Sequence, residues 1–309
     1  MTGKARNSAS VLPPGSGGAH AAWIDGAADF WALTKPEVNL LVLFSTLAGF
    51  LLASKGPMRW ALVVHALLGT FLVASGTATL NQWMERDADA RMRRTAGRPL
   101  PSGRLSARAG LLFGLLLALA GGLELALGAN YLASLLALLT LASYLLAYTP
   151  LKRKTPLCTL VGAFPGAMPP LIGWAAAQGR LSAEAWVLYA LLFFWQFPHF
   201  LGIAWLYRED YERAGLRMLP AGDQGARAMA WQVVAASFAL LLVSLAPVYF
   251  GRFGAIYLAG AVFAGLVFGY YGAWTALVRS KPVARRLVLA SVIYLPMVLG
   301  LMVANKIWF

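Results

Sequence analysis

Residues Trp60 to Leu100 read WALVVHALLGTFLVASGTATLNQWMERDADARMRRTAGRPL. The stretch begins as a long apolar run. From Asn81 onward it packs three acids and five arginines into twenty residues, in a chain that is 60% hydrophobic and only 12% charged. Soluble domains carry about a quarter of their residues as charges. The apolar part is long enough to cross a bilayer core, which takes about 20 residues.

Similar runs recur along the 309-residue chain, whose mean hydropathy is +0.66. Nine segments are expected, near residues 38–54, 60–82, 107–126, 129–148, 157–177, 184–206, 229–250, 254–278 and 286–304. The runs are continuous rather than alternating, so they read as helices and not as barrel strands. The fold class is an all-α polytopic membrane protein, a bundle of nine transmembrane helices. Residues 1–30 read as a flexible tail and 31–309 as the transmembrane domain. The tail has no apolar core and is no secretory signal. Its lack of acids up to Asp25 also suits an organelle-targeting segment, though a cytoplasmic tail is the reading taken here.

With nine spans the connections alternate between two sides of the bilayer. Of the 26 basic residues, twenty-one fall on one side. These lie at the N-terminus, in the segment after the second span (Arg86 to Arg108), at Lys152, Arg153 and Lys154, and in the sixth and eighth connections. Only Lys55, Arg59, Arg180, Arg252 and Lys306 fall on the other. The positive-inside bias then puts the N-terminus in the cytoplasm and the C-terminus across a bacterial plasma membrane. Topology and anionic lipid account for much of the net charge of +14, so no nucleic-acid partner is implied.

The acids are less easily explained. Half of the twelve carboxylates lie in two short segments on the basic side: Glu85, Asp87 and Asp89, then Glu209, Asp210 and Glu212. Carboxylates beside arginines suit a hard divalent cation such as Mg²⁺ bridging a diphosphate, with Arg and Lys on its remaining oxygens. Asn81, Glu85 and Asp89 are four apart and share one drifting face of a helix, which leaves Asp87 elsewhere. A solvated loop with internal salt bridges remains open for the same run. In FFWQFPHFLGIAWLYRED, Gln196 and His199 share a face. A regular helix would align His199 with Asp210 about 16 Å apart, unless Pro198 kinks it. His199 reads equally as a structural histidine or as a substrate contact. Lys152 and Arg153 are either a phosphate clamp or topology markers. Pro165, Pro169 and Pro170 suggest a broken helix, and Gly162 and Gly166 a close packing seam. The lone Cys158 is read as a small apolar residue, with a reactive thiol as the alternative.

Taken in order, LTKPEVN (Leu33–Asn39), NQWMERDAD, MRRTAGRPLPSG, YTPLKRKTPLCTLVGAFPGAMPPLIGW, WQFPHFLGIAW and DYERAGLRMLP resemble the UbiA-type intramembrane prenyltransferase superfamily, and its protohaem IX farnesyltransferase branch most closely. The resemblance implies a bundle around a central cavity and transfer of a farnesyl group from farnesyl diphosphate to a vinyl group of haem B, giving haem O. It implies Mg²⁺ held by Asn81, Glu85, Asp89 and Asp210. Arg94, Arg98, Lys152 and Arg153 would bind the diphosphate, and Gln196, His199 and Tyr207 would contact substrate. Trp83, Phe193, Phe194, Trp195 and Phe197 are expected either to stabilise positive charge or simply to pack. The second acidic motif departs from the superfamily pattern: Ala214 stands where a second acid is usual. Prenylation of an aromatic quinone precursor is the nearest alternative, and an anion permease a more distant one. A complex with a haem-modifying enzyme or a terminal oxidase is compatible with the sequence.

Overall fold

The computed structural model describes residues 26–218, 222–249 and 253–306. Among them, nine helices are long and apolar enough to cross a membrane. They are α1 (Pro36–Ala53), α2 (Trp60–Asp89), α3 (Ala107–Ala129), α4 (Tyr131–Leu151), α5 (Cys158–Gln178), α6 (Ala183–Leu206), α7 (Asp223–Tyr249), α8 (Ala255–Val278) and α9 (Lys281–Ala304). Successive helices pack on one another, and α9 returns to α1, closing a ring.

Each expected span is present, but three helices outrun their apolar segments. α2 continues to Asp89, α7 starts near Asp223 and α9 starts at Lys281. Apolarity marks the bilayer and backbone hydrogen bonding marks the helix, so a charged turn can extend a span into water without ending it. Most of the tail expected over residues 1–30, together with Lys4, Arg6, Arg252 and the end of the DYERAGLRMLP motif, lies outside the described residues. Residues 26–33 form a short helix. It is docked rather than free. Phe30 packs edge-on against Phe113, and Asp29 pairs with Arg104 at 3.0 Å.

α5 is the centre of the ring. Of its apolar window 72% is buried, against 33–50% for the other eight spans. It is broken, as its prolines suggest, into Cys158–Gly166 and Pro169–Gln178. Bilayer hydrocarbon cannot satisfy the backbone groups freed at such a break, so the break has to lie inside protein or face a cavity. Pro165, Gly166 and Pro169 do line a central cavity of about 370 Å³. The second half of α5 crosses α1 at very close range, because Gly173 and Gly49 carry no side chain. A Cβ on Gly173 would run into the Thr46 carbonyl, and one on Gly49 into that of Pro170. Small residues at such crossings let dispersion replace the hydrophobic force that helices lack in lipid.

Gly173→Leu should therefore open this seam, at a cost of about 1–3 kcal/mol or more. Thermal melting in detergent should show a clear drop for this variant. Gly300→Leu, where an added Cβ meets open space, should melt close to wild type.

Candidate active site

The extension of α2 beyond its apolar run carries the first acidic cluster into the protein. Asn81, Glu85 and Asp89 are 3%, 8% and 2% exposed, although all three are polar. Asp87, two residues from either acid, points to solvent beside Arg86, as the helical spacing requires. Asn81 Nδ2 donates to Glu85 Oε2 at 3.0 Å and to Thr149 Oγ1 at 3.1 Å. Lys152 Nζ meets the same Glu85 oxygen at 2.9 Å and lies 4.5 Å from the Tyr148 ring centre. The other carboxylate oxygen, Glu85 Oε1, is buried without a hydrogen-bond partner.

α4 reaches this cluster through a π-helical turn at Tyr144–Tyr148. Such turns are rare and occur often at functional sites. Here Thr149 Oγ1 donates to the Tyr144 carbonyl and is left able to accept from Asn81. Burial works against the charge on Lys152, but the Tyr148 oxygen and the Glu85 carboxylate outweigh it and hold the ammonium protonated well above the usual lysine range.

A second cluster lies across residues 90–98. Arg98 pairs with Asp89 at 2.8 Å. The backbone N–H groups of Arg93 and Arg94 each donate to an Asp210 carboxylate oxygen at 3.3 Å, and Arg213 adds a contact at 2.8 Å. Burial alone would raise the Asp210 pKa. These donors overcome it and hold the group below the ordinary carboxylate range. The Arg94 guanidinium sits 4.7 Å from the Tyr207 ring centre. The 90–98 segment thus joins the first acidic motif to the second.

Ala214 is 3% exposed and packs with Ala88, Met92, Cys158 and Met218. A carboxylate at Ala214 would be buried among apolar groups, and Asp210 draws its partners from backbone amides and Arg213 instead. Cys158 is fully buried, with its sulfur 3.7 Å from that of Met218, and so is a packing residue.

The expected alignment of His199 with Asp210 along one helix does not occur. α6 ends at Leu206, Tyr207 leaves helical geometry, and a new helix runs over Arg208–Ala214. Gln196 and His199 instead line the central cavity, together with Trp195. Gln196 Nε2 donates to the Ala163 carbonyl at 2.8 Å. The Arg153 side chain is exposed and makes no hydrogen bond or ion pair among the described residues, unlike that of its neighbour Lys152. Phe193, Phe194 and Phe197 line a different, apolar groove between α5, α6 and α7, away from the cavity.

One residue was missed by the sequence reading. Lys35 caps α1 in a left-handed conformation and lines the mouth of the cavity. Its pKa is pulled down to about 7, first by desolvation and then by Arg98 and Lys152, against the opposing pull of Asp89 and Glu85. Lys35 therefore connects the polar cluster to the cavity. Its place in LTKPEVN, where the resemblance begins, was the available signal.

Among the described residues, no three His, Cys, Asp or Glu side chains come together as a ready-made metal cage. Mg²⁺ does not need one, since it commonly takes one or two carboxylates and completes its shell with phosphate oxygens and water. The unpartnered Glu85 Oε1, with Asn81 and Asp89 on the same helix face, fits that demand.

The comparisons with known proteins agree with this geometry. A model of the UbiA prenyltransferase family matches residues 42–306. The chain belongs to the UbiA prenyltransferase family. It is 50% identical over 287 residues to protoheme IX farnesyltransferase of Solibacter usitatus, covering 90% of this chain and 98% of that one. It is 44% identical to the Koribacter versatilis enzyme of the same name, covering 90% and 93%. Among solved structures, digeranylgeranylglyceryl phosphate synthase superposes with a TM-score of 0.73 at 17% identity, covering 91% and 98%. A UbiA homologue from Archaeoglobus fulgidus, bound to GPP and Mg²⁺, superposes at 0.61 with 16% identity, covering 89% and 99%. At these identities the structures show a shared fold.

The Lys35 environment has a pH consequence. Unfolded lysine titrates near 10.4. Between about 7 and about 10 the folded state therefore binds fewer protons at this group than the unfolded state does, so its contribution to stability rises with pH. Melting of wild type from pH 7 to 10 should show this rise, and Lys35→Met should flatten it. An unchanged slope would mean that Lys35 is not held in this environment.

Proposed function

We infer that this chain transfers a farnesyl group from farnesyl diphosphate to a vinyl group of haem B, forming haem O in a bacterial plasma membrane. The observation that carries this reading is a paired acid–base cluster at the mouth of an apolar cavity, in a chain half identical to a full-length farnesyltransferase. The basic connections are placed in the cytoplasm, with the C-terminus across the membrane.

In the proposed site, Asn81, Glu85 and Asp89 would hold Mg²⁺, with Asp210 across the 90–98 segment contributing to the same charge balance. The ion would supply charge neutralisation for the diphosphate. Lys35, Arg94, Arg98 and Lys152 add charge-assisted hydrogen bonds to the diphosphate oxygens. Because these donors are fixed before the reaction, little reorganisation is required as negative charge develops. The allylic C–O bond breaks and the vinyl carbon forms the new C–C bond. Water then adds to the cation beside the porphyrin and loses a proton, leaving a hydroxyl. The apolar cavity holds the isoprenoid and keeps water out until that stage.

His199 is assigned to the haem. Ser291 Oγ carries one hydrogen and donates it to the Val288 carbonyl at 2.5 Å. With its hydrogen directed there, its oxygen accepts from His199 Nδ1, which lies 2.7 Å away. In that arrangement the imidazole is the Nδ1–H tautomer, with a lone pair on Nε2 for iron or for a propionic acid group. Trp195, stacked on the ring at 4.8 Å, fixes its plane.

Incubation with haem B and farnesyl diphosphate should give a more hydrophobic haem on chromatography, and a chelator should abolish it. Glu85→Gln or Asp89→Asn should lose about 100-fold or more of this turnover while staying folded. Full activity in both variants would remove the metal-site assignment. His199→Ala should change the visible spectrum of bound haem B, and an unaltered spectrum would exclude the histidine as an iron ligand.

A further inference from the structure

The bundle has a second polar site at the rim opposite the acids. A cavity of about 510 Å³ lies between the end of α1, the end of α5 and the α1–α2 connection, lined by Lys55, Arg59 and Arg180. Lys306 adjoins it, donating to the carbonyls of Leu51 and Ser54 at 2.8 and 2.5 Å. Among the described residues, no Asp or Glu lines the cavity.

These are four of the five basic residues that the topology leaves on this side. They are remote in sequence yet they converge. Neutralisation of helix ends explains only part of the cluster. Arg59 donates to the Ala177 carbonyl at 2.7 Å, and Lys306 serves the end of α1. Each helix end carries about half a negative charge, and these two ends engage Arg59 and Lys306, not Lys55 and Arg180. Lys55 and Arg180 are exposed and make no ion pair or side-chain hydrogen bond among the described residues. Fixed positive charge arranged around a concavity at a membrane rim is suited to the phosphate of a lipid headgroup.

We propose that this cavity binds the phosphate of an anionic phospholipid headgroup. Arg59 and Lys306 form a fixed base tied to backbone carbonyls, while Lys55 and Arg180 close on the phosphate oxygens. The site is separate from the prenyl-transfer machinery, so its loss should leave turnover intact.

The test is native mass spectrometry of the full chain extracted from nanodiscs of phosphatidylcholine doped with phosphatidylglycerol. Wild type should retain one phosphatidylglycerol in preference to phosphatidylcholine. Lys55→Gln/Arg180→Gln should bind it about thirty-fold more weakly. Arg285→Gln, which removes a basic residue from the opposite side, should retain it. Equal retention of the two lipids by wild type, or undiminished phosphatidylglycerol binding by the double variant, would overturn the proposal. Displacement of the lipid by millimolar inorganic phosphate would give the pocket to soluble phosphate and overturn the lipid assignment.

Discussion

A carboxylate sunk into the end of an apolar bundle persists in charged form only beside a cation. The contact between Glu85 and Lys152 is where this protein meets that constraint. Removing both charges from water costs several kcal/mol per ion even after relaxation, and their attraction only partly returns it. The pair is therefore poorly explained as a stabilising feature. On the proposed reading it is a store of opposite charges that would change partners, the acid turning to an arriving metal ion and the ammonium to an arriving phosphate. Asn81, Thr149 and Tyr148 are arranged around this pair, and each would lose its role without it.

The apolar architecture serves the same end. α5 is the most enclosed span, and it is also the one whose helix is interrupted. The glycine crossing with α1 draws its second half into the middle of the ring, while the interruption leaves space beside Pro165 and Gly166. A Cβ on Gly166 would strike the Gln196 side chain, so this glycine also keeps the cavity wall polar at one point. Tight packing on one side of α5 and open volume on the other come from the same helix. Lys35 then joins that volume to the charged rim.

The spans were legible in the sequence because the bilayer dictates their length. The broken α5 was legible because three prolines have few places to go in a membrane. The face made by Asn81, Glu85 and Asp89 could be read from spacing alone, since four-residue steps survive any helix extension. What could not be read were features set by remote neighbours. Lys35 looked like a topology marker, because its surroundings come from α2, from the 90–98 segment and from Lys152. Lys152 and Arg153 were indistinguishable as letters; only the path of α4 turns one inward and the other out. The end of α6 at Leu206 was legible from its apolar run, but the break at Tyr207 has no proline or glycine to announce it, so whether His199 aligned with Asp210 could not be read. Ala214 left the second acidic motif open as a sequence, because the apolar cluster around it comes from remote residues.

The π-turn at Tyr144–Tyr148 has a consequence for how such a protein can vary. One residue more per turn than an α-helix shifts the angular phase of everything that follows, by about 100°. The lipid-embedded part of α4 and its polar end therefore obey separate rotational registers. The buried stripe can be selected for fit against α3 and α5, while Thr149 and Lys152 keep their own heading. Ancestral loss or gain of that single bulge would swing the ammonium from the acid toward the lipid, with every residue identity unchanged.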